Sequence, residues 1–317
     1  MKTLPPGTPV ADLPQNLWGK ILGSTPVVMT VVATMLAGLA SSEMTRAQYD
    51  RSLAAQLQSK AGDQWSFFQA KKLRSAMQHT TLDTIAATGA VGRFDASAFK
   101  PETAAGTRSD GVEPADTSAA LAVLAGDKLP EPAASPALDP KVAAALEALE
   151  KSRPDAELTE RVNDVDNTVL ATTLRAARER ALAQDLLTAP LSRAVDAMEA
   201  RLKSADPVPS AAAQPASPAR EFTVARLNYN ARRYDLEARH NQAIASLYEL
   251  QVRKNNISAE RHHKRSGNFF YGMLAAQMAV IIATFAIAAR KRNVLWTIAA
   301  VAGTAAIAFA VYVYLYV

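Results

Sequence analysis

The chain contains no cysteine, and only four of its 317 residues are histidine. Without cysteine it can form neither disulfide bonds nor thiolate metal sites. No two histidines have the i, i+4 spacing with an intervening glutamate that marks a zinc-binding helix, and no glycine-rich loop precedes a lysine as in a nucleotide site. The sequence therefore contains no recognisable catalytic constellation. We expect a protein that is not an enzyme and that has no cofactor and no metal.

Three long runs lack any aspartate, glutamate, lysine or arginine: residues 21–42, 266–289 and 294–317. Each has about the twenty residues that a helix needs to cross a roughly 30 Å hydrocarbon core. The last run begins near Trp296 and ends in tyrosines, a placement typical of membrane interfaces. The sequence therefore predicts an integral membrane protein with three transmembrane helices.

The first run has an alternative interpretation as a cleaved secretory signal, because small residues lie near its end. The segment before it is long and rich in proline, and its only cationic side chains are Lys2 and Lys20. A secretory signal begins instead with a compact positive region. We therefore expect a retained membrane anchor.

Charge is distributed unevenly along the chain. The net charge is only +5, but residues 91–166 are mostly acidic, whereas residues 220–292 are rich in arginine and lysine. Basic residues beside membrane spans usually set topology or contact lipid headgroups. Because no groove-reading motif accompanies the charge, we expect the lipid bilayer as a partner and no nucleic acid.

Two proline-free segments beside the spans predict long helices. Over residues 224–259, steps of three and four residues place mostly apolar side chains on one face, as in a heptad seam. Residues 43–89 form a similar helix after the first span. Both helices are rooted in the bilayer and are nearly equal in length, so we expect them to pair as an antiparallel stalk. The predicted fold is all-α: three transmembrane helices, a long coiled-coil-like stalk, and a small, partly disordered distal helical lobe.

The predicted segments are a tail (1–20), transmembrane helix 1 (21–42), a stalk helix (43–89), the distal lobe (90–218), a second stalk helix (219–265), and transmembrane helices 2 (266–289) and 3 (294–317). The lobe is rich in alanine and proline, which indicates low-complexity linkers. Apolar spacing within it predicts helices at 118–125, at 141–149, from Pro154 to position 169, and after Pro190.

The densest local signal is a run of aromatic, amide and basic residues in the first stalk helix. It could bind a partner helix or an anionic ligand, and the candidate interaction residues are Gln64, Trp65, Phe68, Gln69, Lys71 and Lys72. The alternative, which ordinary amphipathic helices favour, is that Trp65 and Phe68 pack into the stalk while the basic residues stay solvated.

Two further groups of residues belong to the membrane helices. A basic cluster before transmembrane helix 2 is a candidate for headgroup contact; its members are Arg261, His262, His263, Lys264 and Arg265. Polar or small residues within the spans are candidates for interhelical contact, since such residues commonly join transmembrane helices. They are Gln277, Ala302, Gly303 and Ala306.

The order of these features resembles a bacterial family known as domain of unknown function 4337. The resemblance rests on the first span, the motif Asp-Gln-Trp-x-Phe-Phe-Gln-Ala-Lys at 63–71, the basic helix entering the second span, and a terminal hairpin closed by Arg290-Lys291-Arg292. It does not extend through residues 90–218, an enlarged Ala/Pro-rich insertion. The resemblance implies an architecture and no activity.

These features predict a non-enzymatic, membrane-anchored scaffold or assembly subunit, in a homo-oligomer or a larger membrane complex. The alternative is a pore or transporter subunit formed by oligomerised spans. The predicted location is the bacterial inner membrane. The basic turn at 290–292 favours a periplasmic stalk, because short loops follow the positive-inside rule best. Arg253, Lys254 and the cluster at 261–265 favour the cytoplasmic alternative.

Overall fold

The computed structural model describes residues 17–89, 92–99, 113–134, 137–205, 218–288 and 292–316. Within these ranges the chain forms seven α-helices, one short 3-10 helix at Ala96–Phe99, and no strand. The helices are α1 (Leu17–Ala87), α2 (Pro114–Leu124), α3 (Pro140–Glu150), α4 (Asp155–Asp164), α5 (Asn167–Ala205), α6 (Pro218–Ala288) and α7 (Arg292–Tyr316). The prediction of an all-α fold is confirmed.

The chain forms two compact units. The terminal unit comprises Met1–Ala54 and Lys254–Val317, and the central unit comprises Ala55–Arg253. Because α1 and α6 are each one continuous helix, both contribute to both units.

The terminal unit contains the apolar stretches of the chain. Helices α1, α6 and α7 are long and apolar enough to cross a membrane, so the prediction of three such helices is confirmed. Pro26 lies inside α1. The hydroxyls of Thr30 and Thr34 donate to the carbonyls of Pro26 and Thr30, at 2.8 and 2.9 Å, so neither hydroxyl hydrogen lacks an acceptor.

Helices α1 and α6 are antiparallel within each unit. In the terminal unit the hydroxyl of Ser266 donates to the carbonyl of Ala40 at 2.7 Å. In the central unit Lys72 pairs with Asp235 at 2.9 Å, and further along α1 the carbonyl of Ile85 accepts from Arg220 at 3.1 Å. As the residue number increases along α1, the number of its partner on α6 decreases. This order is the one that the predicted antiparallel stalk requires.

One apolar core of the central unit lies between α2, α5 and α6. Its largest wholly buried side chains include Phe222 and Tyr229 of α6. The Tyr229 hydroxyl is 2.8 Å from that of Ser192 on α5. This hydrogen bond satisfies the polar end of a ring that is otherwise packed among apolar side chains, as buried tyrosines require. The other buried members are Phe94, Ala120, Leu121, Val123, Leu124, Leu191, Ala194, Val195, Met198 and Ala225.

Two helix boundaries differ from the sequence expectation. Pro190 lies inside α5 and does not begin a new helix. A proline inside a helix removes one backbone hydrogen bond, but the residues that follow it, including Leu191 and Val195, are buried in the core, and that packing offsets the loss. The helix expected from Pro154 to position 169 is broken instead between α4 and α5. There the carboxylate of Asp166 accepts the backbone N–H of Thr168 at 2.7 Å and caps α5.

Core packing along α5 can be tested with two leucines of one helix. Leu191 is buried in the core, whereas Leu186 is 68% exposed. We expect Leu191→Ala to lower the free energy of unfolding by about 2–5 kcal/mol, through lost burial and a residual cavity. Leu186→Ala should change it by less than about 0.5 kcal/mol. Urea denaturation of the full chain in mild detergent, followed by circular dichroism, measures both; equal effects would contradict the packing described.

Candidate functional site

Trp65 and Phe68 lie on the side of α1 that contacts α6. The indole Nε1–H of Trp65 donates to a carboxylate oxygen of Glu249 at 2.7 Å. The ring of Phe68 meets that of Trp65 edge to face, with centroids 5.4 Å apart. The two aromatic rings therefore belong to the contact between the helices and do not form an outward-facing surface.

The two lysines of the same group form ion pairs across the helix pair. Lys71 pairs with Glu237, and Lys72 pairs with Asp235. The hydrogen bond from Lys72 lowers the pKa of Asp235 below its ordinary value. Lys72 remains exposed although it is paired, whereas Lys71 is half-buried. Of the two glutamines, Gln69 is exposed and Gln64 is half-buried.

The basic cluster at 261–265 is divided between two environments. The Nδ1 atom of His262 lies 2.5 Å from a carboxylate oxygen of Glu43, so this histidine faces α1. Arg265 is half-buried as well. The remaining members are exposed: Arg261, His263 and Lys264. Within the cluster, these three side chains are the most accessible for headgroup contact.

Gly303 and Ala306 pack closely inside the terminal unit. Ala306 is 1% exposed. A Cβ atom added at Gly303 would lie 2.6 Å from the sulfur of Met29, so glycine permits this approach of α7 to α1. Ala302 is half-buried.

Gln277 differs from the other predicted interhelical residues. Its side chain is exposed and makes no hydrogen bond to the residues that the structure describes, so an interhelical role for the amide stays a prediction. The cause of this exposure is the rotation of α6, which buries the small residues Ala276 and Ala279 and so turns Gln277 outward. The amide borders a shallow groove, whose other members are Thr30, Ala33, Thr34, Ala37, Val280 and Ile281.

The central unit contains a cavity of about 520 Å³ between α3, α5 and α6. Leucines and alanines form much of its wall, and Arg180, Arg239 and His240 supply cationic or titratable groups. Burial and the charge of Arg180 lower the pKa of His240, and they outweigh the opposing charges of Asp185, Glu131 and Glu237. The Nε2 atom of His240 is buried and has no hydrogen-bond partner among the residues that the structure describes.

No pattern in the sequence predicts this cavity. Its lining comes from three helices and from the segment before α3, so no short motif contains it. His240 was visible only as a histidine without a metal-ligand spacing. Among the described residues, no three histidine, aspartate or glutamate side chains are grouped so as to hold a metal ion.

Comparison with known proteins finds one family. The model of a family described as Domain of unknown function (DUF4337) matches residues 18–108. The predicted resemblance to this family is confirmed. The match also covers residues 90–108, which we expected to lie outside it. That the motif at 63–71 and the two membrane ends carry the resemblance stays a prediction. No curated protein and no solved structure matches the chain.

The Trp65–Glu249 contact can be tested by removing its donor. Trp65→Phe keeps an aromatic ring but leaves the half-buried Glu249 carboxylate without the indole N–H. We expect a loss of about 1 kcal/mol of unfolding free energy, the usual size for a hydrogen bond. Phe67→Leu, at a neighbouring ring that is 54% exposed, is the control and should change stability little. Chemical denaturation compares them, and a loss confined to Phe67→Leu would contradict the contact.

The lowered pKa of His240 predicts how stability depends on pH. The unfolded chain takes up the proton at about pH 6.5, the ordinary histidine pKa, whereas the folded chain takes it up at a lower pH. Stability is therefore complete above pH 6.5 and falls as the pH drops below it. We expect His240→Gln to reduce this loss in melting experiments between pH 7.5 and 5.5. His79→Gln, at an exposed histidine, should retain it.

Proposed function

We propose that this chain is a non-enzymatic, membrane-anchored scaffold or assembly subunit that associates with copies of itself through its membrane helices. The observation that carries the proposal is the exposed amide of Gln277. It lies within an uncharged run of 24 residues, at 266–289. A polar group that faces hydrocarbon without a hydrogen-bond partner is unfavourable, and amide side chains in spans commonly bond across helices.

The groove beside Gln277 suits the approach of a second helix. Ala33 and Ala37 are small, and the hydroxyls of Thr30 and Thr34 donate within α1. Small residues let helix backbones come close, which drives association in lipid. An amide carries both donors and an acceptor, so two copies of Gln277 related by a two-fold axis could satisfy each other.

A scaffold also needs surface for other proteins, and α1 offers it in the central unit. Phe67, Leu73 and Met77 are 54%, 63% and 59% exposed. Exposed apolar side chains along one helix can form part of a contact with another protein. We place the protein in the bacterial inner membrane, with the central unit in the periplasm, on the strength of the basic turn at 290–292.

A pore or transporter subunit is the second candidate. The same groove favours it, because Thr30, Thr34 and Gln277 bring three polar side chains to one surface of the membrane helices. In a pore, the assembled copies would arrange these polar side chains around a central path. In a scaffold, the same side chains would be buried in the contact between helices. The pore candidate predicts ion flux in liposomes that Gln277→Leu abolishes, whereas the scaffold predicts no flux from either protein.

Self-association can be tested with single cysteines, since the natural chain has none. Ile281 borders the groove and is 47% exposed; Val301 on α7 is 63% exposed and does not border it. Under oxidation in native membranes, we expect Ile281→Cys to form a covalent dimer and Val301→Cys to remain mostly monomeric. Adding Gln277→Leu to Ile281→Cys should reduce the dimer several-fold, because it removes the amide pair.

Two results would count against this interface. The first is equal crosslinking of both cysteine variants, which indicates random collision. The second is a dimer unaffected by Gln277→Leu. If Ile281→Cys stays monomeric in native membranes as well as in nanodiscs, self-association through these spans is wrong.

A further inference from the structure

The cavity between α3, α5 and α6 has an apolar wall and one cationic end. We propose that it binds an amphiphilic carboxylate: a single apolar chain that ends in a carboxylate group. This site lies in the central unit and is independent of self-association through the membrane helices.

The apolar part of the cavity fits an aliphatic chain. Leu146 on α3, Ala176 and Ala177 on α5, and Ala243 and Leu247 on α6 contribute to the wall. The volume of about 520 Å³ falls in the range of roughly 300–1,000 Å³ typical of small-molecule sites. Alanines on α5 and α6 leave room that larger side chains would fill.

The cationic end lies beside the start of α3. Arg180 donates to the carbonyl of Ala133, in the segment before α3, at 2.9 Å. Arg180, Arg239 and His240 all line the cavity, and the charge of Arg180 acts on His240. Guanidinium groups match the planar, bidentate geometry of a carboxylate. The buried, unpartnered Nε2 atom of His240 adds a third polar group.

Two acidic residues also line the cavity, and neither neutralises the positive charge of the cationic end. The carboxylate of Asp139 already accepts the backbone N–H of Lys141 at 2.8 Å and caps α3, where the helix dipole favours a negative charge. Glu150 lies at the other end of α3, about 16 Å away at 1.5 Å per residue. A carboxylate beside Arg180 would therefore be well separated from Glu150.

Binding should depend on the protonation of His240. The charged groups that act on it are Arg180 and Asp185 of α5, Glu237 of α6, and Glu131. A bound carboxylate adds a negative charge, which favours the protonated imidazole. Affinity should therefore increase as the pH falls towards the lowered pKa of His240 in the free protein, and His240→Gln should remove that increase.

Photolabelling of the full chain in nanodiscs tests the proposal. The probe is dodecanoate with a diazirine in its chain, and the labelled peptides are identified by mass spectrometry. We expect labelling of peptides from α3, α5 and α6 that unlabelled dodecanoate competes away. Arg180→Gln should reduce it about ten-fold, the loss expected for a charge-assisted hydrogen bond. Arg178→Gln, at an exposed arginine of the same helix, is the control.

A second variant protects the test against misfolding of Arg180→Gln. Ala177→Phe should fill the apolar part and abolish labelling while circular dichroism remains unchanged. Three outcomes would overturn the proposal: labelling confined to the membrane helices, equal labelling by the matching photoreactive dodecanol, or stronger labelling by the matching alkyl phosphate. The alcohol tests whether the carboxylate matters, and the phosphate tests which anion the site prefers.

Discussion

The carboxylate of Glu237 connects three helices of the central unit. It pairs with Lys71 of α1, and its other oxygen lies 3.5 Å from Nε of Arg233. Arg233 in turn donates to the hydroxyl of Ser192 on α5 at 2.5 Å. Opposite charges lie next to each other along this half-buried network, although Nε of Arg233 makes no hydrogen bond to the described residues. The alignment of α5 with α6 that the network supports positions both the apolar core at Leu191 and the cavity at His240.

The terminal unit achieves close helix packing by different means. Lipid tails are as apolar as the side chains, so no hydrophobic effect drives helices together in a membrane. Helices associate there through close packing. Accordingly Ala276, Ala283 and Ala299 are completely buried, and Gly303 permits the approach of Met29. Among the described residues of this unit, polar side-chain contacts between α1 and α6 lie where the apolar runs end, as between Glu43 and Nδ1 of His262. In the terminal unit α1 and α6 thus pack through small residues, whereas in the central unit they also form ion pairs.

Features that depend on a single helix were predictable from the sequence. Runs without charge predicted the membrane helices, and the heptad spacing predicted buried residues such as Ala231, Ala238 and Ala245. Features that depend on the relative rotation of several helices were not. The preference of proline for the first turn of a helix predicted a helix start at Pro190. Packing of the residues that follow it stabilises Pro190 inside α5 instead. The direction of Gln277 follows from the burial of Ala276 and Ala279, and the cavity beside His240 is formed by three helices together; no periodicity within one segment reveals either.

The long separation of paired residues has a consequence for synthesis of the protein. Trp65 and Glu249 are 184 positions apart, and a ribosome adding about 5–20 residues per second needs roughly 10–40 s to make the intervening chain. Throughout that interval α1 exists without α6, with its aromatic rings and lysines uncovered. A nascent chain in this state is a target for chaperones and proteases. Translation speed across the Ala/Pro-rich middle therefore sets how long the first half of the helix pair must survive alone.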